Sequence, residues 1–299
     1  MGGADSALIS DSVRAGGGRL TADPATAAAV VWLAKEIDGL GDILHDGVRW
    51  VQLPDAGVER WLAGGIVDRS RVYTSARGSY APAVAEHAMA LILACARDLG
   101  RYARLTAWQR PDRAGGALLA GSEVLVVGAG GIGSLVISML ATFGARCVAV
   151  SRSGRAVDGA ESNLPAERLP EALSSADFVV VCAPSTPSTR FLFGAPEFAA
   201  MKSTAYLINV ARGDLVDSAA LADAVRNGEI AGAGLDVVDP EPLPDSSPLW
   251  RIPRVFITPH VANPAAAKEA ALGERVRQNT ERFVQGRELL GIVELNRGY

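Results

Sequence analysis

Histidine, cysteine and net charge are all in short supply. The 299 residues hold three cysteines, three histidines and 6% aromatic side chains, and the formal charge is −4. Cys95, Cys147 and Cys182 lie in apolar runs without CxxC spacing or paired histidines. That argues against a disulfide framework or a zinc centre, so reduced core thiols and no metal are expected. Charge this near balance gives no reason to expect nucleic acid or an anionic membrane as partner. The opening MGGADSALISD lacks a basic stretch followed by an apolar core, so no signal peptide is expected. The most apolar helical stretch, 81–96, carries Glu86 and His87 and is too short to span a bilayer. What remains is a chain with 49% hydrophobic residues, long enough for two domains and expected in the cytoplasm.

Glycine is what the chain has in quantity, at 32 positions. The most informative cluster is SEVLVVGAGGIG (122–133), where the apolar run Val124-Leu125-Val126-Val127 ends directly in Gly128-Ala129-Gly130-Gly131-Ile132-Gly133. A proline-free apolar stretch over 132–143 follows, so the pattern reads as strand, turn and helix. In GxGxxG the first glycine permits a tight turn, the second lets a pyrophosphate approach the backbone, and the third lets helix and strand pack closely. The helix N-terminus adds free N–H groups and partial positive charge. A dinucleotide cofactor is therefore expected on Gly128, Gly130, Gly131, Ile132 and Gly133.

Upstream, 1–80 reads as a small α/β unit: a helix over 7–13 closed by Gly16-Gly17-Gly18, then strands at 28–33, 48–53 and 71–74. No strand precedes the first helix. A long helix is expected over 81–97, and then the polar and aromatic stretch 98–113, either a solvated helix end or an arm for a second subunit. From Gly121 strand and helix alternate, with strands expected at 123–127, 146–150, 178–183, 205–209, 231–235 and 254–258. That alternation implies a parallel, doubly wound sheet. Such sheets bind ligands at the carboxyl ends of their strands, so Ala183, Pro184 and Val210 are expected to line the cofactor. A helix over 264–286 closes the pattern, and the tail after it is expected to return to the N-terminal unit.

The second strand of that sheet ends in Ser151-Arg152-Ser153-Gly154-Arg155, where an acidic residue would hold the ribose of NAD. A guanidinium flanked by hydroxyls instead suits a 2′-phosphate, so NADP(H) is expected over NAD(H). Three later strand ends each deliver a polar residue: Arg212 after YLINVA, Glu241 in DVVDPEP and His260 in TPH. Singly each has a structural reading, as a surface charge, an exposed loop or a buried ring. Together they suit a carbonyl/alcohol pair, with His260 as acid/base, Glu241 holding its ring and Arg212 binding a substrate carboxylate.

VQLPDAGVE (51–59), VAEHAMALIL (84–93), VVGAGGIG (126–133), NVARGDLVD (209–217), LDVVDPEPLP (235–244), TPH (258–260) and RGY (297–299) together resemble the NAD(P)-dependent D-2-hydroxyacid dehydrogenase family. The resemblance covers nearly the whole chain, and the SRS turn is similar to the NADPH-preferring glyoxylate/hydroxypyruvate reductase branch. It implies that Arg212, Glu241 and His260 are catalytic and that Asp236 helps to hold the nicotinamide. It further implies that backbone amides around Ala56, Gly57 and Val58 receive the substrate carboxylate across a cleft. The implied architecture is a doubly wound (Rossmann) domain, 94–263, inserted into a smaller flavodoxin-like α/β substrate domain formed by 1–93 and 264–299. Helices around 83–97 and 264–285 would cross between the two, and the family's pairing through the cofactor domain makes 98–113 a homodimer arm.

Two departures stand out. The family's substrate domain opens with a strand, whereas only MGGADS precedes Ala7 here, so this sheet is expected to lack that edge. Val261-Ala262-Asn263-Pro264 follows TPH in place of the small residues relatives often carry, which is expected to reshape the pocket near His260. The implied reaction is NADPH-dependent reduction of a small 2-oxo acid to the D-2-hydroxy acid. The alternatives are a dinucleotide-sensing binding protein on the same fold, disfavoured by the lack of long basic tails, and an NAD-dependent phosphoglycerate or other hydroxyacid dehydrogenase. Relatives acting on formate or phosphite use NAD and fit less well. Arg60, Trp61, Arg77 and Tyr80 are the candidates near the substrate.

Overall fold

The structure, a computed structural model, describes residues 4–34, 36–110 and 116–295. Along the chain come α1 (Ala4–Ala15), β1 (Ala29–Val31), α2 (Leu40–Ile43), β2 (Trp50–Gln52), α3 (Glu59–Ala63), β3 (Val72–Thr74), α4 (Ala81–Ala96) and α5 (Leu99–Tyr102). Then follow β4 (Glu123–Val127), α6 (Gly131–Thr142), β5 (Arg146–Ser151), β6 (Ser162–Pro165), α7 (Leu169–Leu173), β7 (Phe178–Val181) and α8 (Ala195–Ala200). β8 (Tyr206–Asn209), α9 (Ser218–Asn227), β9 (Gly232–Leu235), β10 (Val255–Ile257) and α10 (Ala265–Val284) complete the order. The chain forms two units, one from residues 1–81 with 263–299 and the other from 82–262. The RGY motif at 297–299 and the 111–115 part of the expected arm lie outside the described residues.

The second unit carries a seven-stranded, wholly parallel sheet in the order β10-β9-β8-β7-β4-β5-β6. Successive residues of a strand face opposite sides, and the two cores divide accordingly. Val124, Val126, Phe178, Val180 and Ile208 pack with α4 and α6 on one face. Leu125, Val127, Val179, Val181 and Leu207 pack with α7, α8 and α9 on the other. The strand order reverses between β4 and β7, which is where such sheets bind ligands. α6 buries Gly133, Val136, Ile137 and Leu140, a one-sided helical spacing. α9 is fixed at its start by Asp217, whose carboxylate accepts from Ala219 and Ala220 N–H.

Two features of this unit differ from the sequence expectation. The first boundary falls between Ala81 and Pro82 instead of after residue 93. α4 is apolar on the side that meets the large sheet, through Ala85, Ala88, Met89, Leu91, Ile92 and Cys95, so it packs with that sheet. The strand β6 was not anticipated. It reads Ser162-Asn163-Leu164-Pro165, pairs only with β5 and is nowhere fully buried, so it shows no apolar run to betray it.

The first unit holds a three-stranded parallel sheet, β1-β2-β3. Its core gathers Leu40, Val48, Val51, Leu53, Val58, Trp61, Tyr73 and Val293. Among the described residues no strand precedes α1. α10 lies against α1 so closely that a Cβ on Gly273 would stand 3.0 Å from Ser12 Oγ. After α10 the chain runs back to β3, where Val293 N–H donates to Tyr73 O at 2.9 Å and Ser75 N–H to Gly291 O at 2.8 Å.

Candidate active site

The glycine turn between β4 and α6 is built as the spacing demands. Gly128 has φ +99°, and a Cβ there would come within 2.4 Å of Ala183 N at the end of β7. A Cβ on Gly133 would lie 2.3 Å from Gly128 O, so only hydrogen allows α6 to sit on the strand end. A Cβ on Gly130 would meet nothing within 4 Å, which leaves open space in front of the first N–H groups of α6. The turn therefore fits a dinucleotide pyrophosphate. Gly130 and Gly131 are exposed and Ile132 is half-buried, while Ala183 and Val210 are buried and Pro184 is exposed.

β5 ends at Ser151, and the turn beyond it is closed by Gly154 N–H donating to Ser151 O. Arg152 and Ser153 are exposed on that turn, and no carboxylate lies in 151–155. Cys182, next to Ala183, keeps a thiol pushed up to about 12 by burial. It is a poor thiolate at neutral pH.

β8 carries Arg212. Buried Asn209 ties the turn below it, accepting from Ala211 N–H at 3.0 Å and donating to Arg212 O at 2.8 Å. The next residue is Gly213, where a Cβ would be only 1.9 Å from Val238 O. The backbone carrying Arg212 is thus pressed on the 236–241 loop that carries Glu241. On that loop Glu241 Oε1 accepts from Val238 N–H at 3.2 Å, and Oε2 lies 2.9 Å from His260 Nδ1. A carboxylate can only accept, so Nδ1 bears the hydrogen and Nε2 is left for chemistry. His260 has φ +55°, a left-handed conformation uncommon for a non-glycine residue, and its N–H donates to Asp236 O at 2.8 Å. His260 and Glu241 are in direct contact.

Asp236, which the family resemblance assigns to the nicotinamide, ties the loop that follows β10. Its side chain is 1% exposed. Oδ1 accepts from Thr258 Oγ1 at 2.6 Å and from Val261 N–H at 2.9 Å, and Oδ2 from Ala262 N–H at 3.0 Å. Both oxygens bind the loop that carries His260. The sequence reading also passed over His87, which the motif VAEHAMALIL contains and which lies 2.9 Å from Thr258 Oγ1. Its position on the inner side of an apolar helix was the available signal.

Ala56, Gly57 and Val58 belong to the first unit, on the loop between β2 and α3, with Val58 buried and the other two half-buried. Of the four substrate candidates there, Trp61 is core, and Tyr80 is buried with its hydroxyl on Pro54 O at 2.7 Å. Arg60 is paired with Asp55, which also meets Lys268 Nζ at 3.7 Å.

A family model for the D-isomer specific 2-hydroxyacid dehydrogenase NAD binding domain matches residues 89–262. The chain belongs to the D-isomer specific 2-hydroxyacid dehydrogenase family. Among solved structures, a member of this dehydrogenase family from Xanthobacter autotrophicus, in complex with NADPH and MES, is 31% identical. The match covers 99% of this chain and 95% of that one, with TM-score 0.83. The NADPH-dependent glyoxylate/hydroxypyruvate reductase of Sinorhizobium meliloti, with NADP and sulfate, is 27% identical over 97% of this chain and 96% of that one, TM-score 0.80. D-3-phosphoglycerate dehydrogenase of Mycobacterium leprae is 32% identical over 93% of this chain, which spans only 53% of that relative's length. Its family is one of oxidoreductases with an NAD(P)-binding domain. No helix among the described residues is long and apolar enough to cross a membrane.

Proposed function

We propose that this dehydrogenase reduces a small 2-oxo acid to the D-2-hydroxy acid with NADPH, and that Arg212, Glu241 and His260 carry the reaction. The observation that carries the reading is the His260–Glu241 pair, 2.9 Å apart at the carboxyl ends of the sheet. A dinucleotide held at the glycine turn would supply the hydride for the carbonyl carbon. His260 gives its Nε2 proton to the carbonyl oxygen as that oxygen gains charge. Glu241 holds Nδ1–H, which aims the ring. Arg212 grips the substrate carboxylate and polarises the neighbouring carbonyl. The backbone amides of Ala56, Gly57 and Val58 add the second carboxylate contact implied by the family resemblance.

Gly128, Gly130, Gly131, Ile132 and Gly133 hold the pyrophosphate, with Ala183, Pro184 and Val210 along its path. Ser151, Arg152 and Ser153 hold the 2′-phosphate. The exposed guanidinium on a turn without carboxylates supports NADPH over NADH. Three free thiols support a reducing, cytoplasmic location. Trp108, 95% exposed within the expected arm, and Leu118, 70% exposed just after it, support a homodimer through that segment. Light scattering on Trp108→Glu should then report a monomer.

Steady-state reduction of glyoxylate, hydroxypyruvate, pyruvate and bulkier 2-oxo acids with each cofactor tests the whole reading. His260→Ala should lower kcat by about 10²–10⁴-fold, the usual share of general acid catalysis. Full turnover by that variant, or NADPH use unchanged in Arg152→Asp, would overturn the corresponding assignment.

A further inference from the structure

His260 is held in an unusual backbone conformation, and the structure shows what holds it. A non-glycine residue at φ +55° persists where its surroundings over-determine it. The His260 N–H is fixed by Asp236 O, and the Asp236 carboxylate takes up Thr258 two residues before and Val261 and Ala262 just after. The loop is thus wound around one sealed carboxylate.

Behind that carboxylate stands His87 on α4. Its Nε2 is 2.9 Å from Thr258 Oγ1 and 3.3 Å from Asp236 Oδ1. The Thr258 hydroxyl has one hydrogen, and the 2.6 Å contact commits it to Asp236. Nε2 of His87 must therefore be the donor, and both oxygens in its reach are acceptors. From this geometry we infer that His87, acting through Thr258 and Asp236, is a positioning residue that fixes the loop presenting His260. The inference rests on the proposed role of His260 as acid/base.

The test uses the full chain with His87→Leu, His87→Gln and Thr258→Val. The protein has three histidines, so the His260 ring-proton resonances can be assigned by substitution and read without cofactor or substrate. His87→Leu and Thr258→Val should each move those resonances. Each should also lower kcat by about 10- to 100-fold, the scale of a small misplacement of a catalytic group, while dinucleotide affinity stays within a factor of about two. His87→Gln, whose amide can still donate to Thr258, should restore most of kcat, and His87→Leu/Thr258→Val should be no worse than the more severe single variant. Unmoved His260 resonances with undiminished kcat in His87→Leu would overturn the inference, as would equal losses in the Leu and Gln variants. Should His87→Leu not fold, the near-isosteric Thr258→Val decides by the same two readouts. Absence of turnover in the unmodified protein would defeat the functional reading instead, and the resonance shifts would still decide the role of His87.

Discussion

The two units position a parallel sheet and its loops with different emphases, seen at the glycine turns of one and around Gln52 in the other. In the second, backbone meets backbone: Gly128 against Ala183, Gly133 against Gly128 and Gly213 against Val238, each too close for a Cβ. In the first, buried polar side chains do the joining. Trp50 Nε1 donates to Thr74 Oγ1 at 2.8 Å, Thr74 to Gln52 Oε1 at 2.8 Å and Asn279 Nδ2 to the same Gln52 oxygen at 3.0 Å. Asn279 also takes both the N–H and the carbonyl of Leu290. Close backbone approach suits a site that must admit a phosphate. A closed polar network instead suits elements from distant parts of the chain, because each member must find its own partner.

The sharpest way to break the comparison is Gly133→Val. Its Cβ would stand 2.3 Å from a carbonyl that cannot swing away. We expect a loss of about 1–3 kcal/mol or more together with dinucleotide affinity, measured by thermal unfolding and cofactor titration. Asn279→Leu should cost about 1–3 kcal/mol by leaving buried Gln52 and Leu290 groups unpaired. Dinucleotide binding by the second unit should survive it, and a loss of binding would show that the two designs are not separable.

A smaller effect is expected at the amino ends of β4 and β7. Burial alone would raise the Asp177 carboxyl, but Lys202 Nζ at 2.8 Å and the Glu123 N–H at 2.9 Å outweigh it and hold it below the usual range. A folded-state value below the unfolded one gives stability that is present above about pH 4 and lost as pH falls through the folded value. With both side chains about one-third exposed, this is worth roughly 0.2–1 kcal/mol, and Asp177→Asn should remove that part of the acid limb in pH-dependent unfolding. The smallest expectation is a null result. Burial pushes Cys95 up to about 12 and Cys147 up to about 11, so with Cys182 all three thiols should resist iodoacetamide at pH 7 until the protein is unfolded.

The same contrast explains what could be read from the sequence. Gly128, Gly130 and Gly133 fall within six residues, and their spacing is itself the geometric requirement, so the turn was legible. The closeness of Glu241 and His260 could be foreseen because each follows a strand of the same sheet whose apolar run announces it. The Gln52–Asn279 contact joins residues 227 positions apart, and nothing local marks either member. His87 was hidden for a related reason, since its helix is apolar around it and its partners lie just after β9 and β10. β6 escaped because an edge strand with one neighbour needs little apolar surface.

The return of the chain from α10 to β3 also sets an order of assembly. The second unit is one uninterrupted segment, 82–262, whereas the first needs Asn279 and Val293 to complete its core and its polar network. On the ribosome, the first 81 residues therefore emerge without the partners that finish their sheet. At about 5–20 residues per second, the interval before Val293 is added is roughly 10–40 s. The dinucleotide-binding unit can fold in that interval, while the segment carrying Trp50 and Trp61 still lacks Asn279 and Val293.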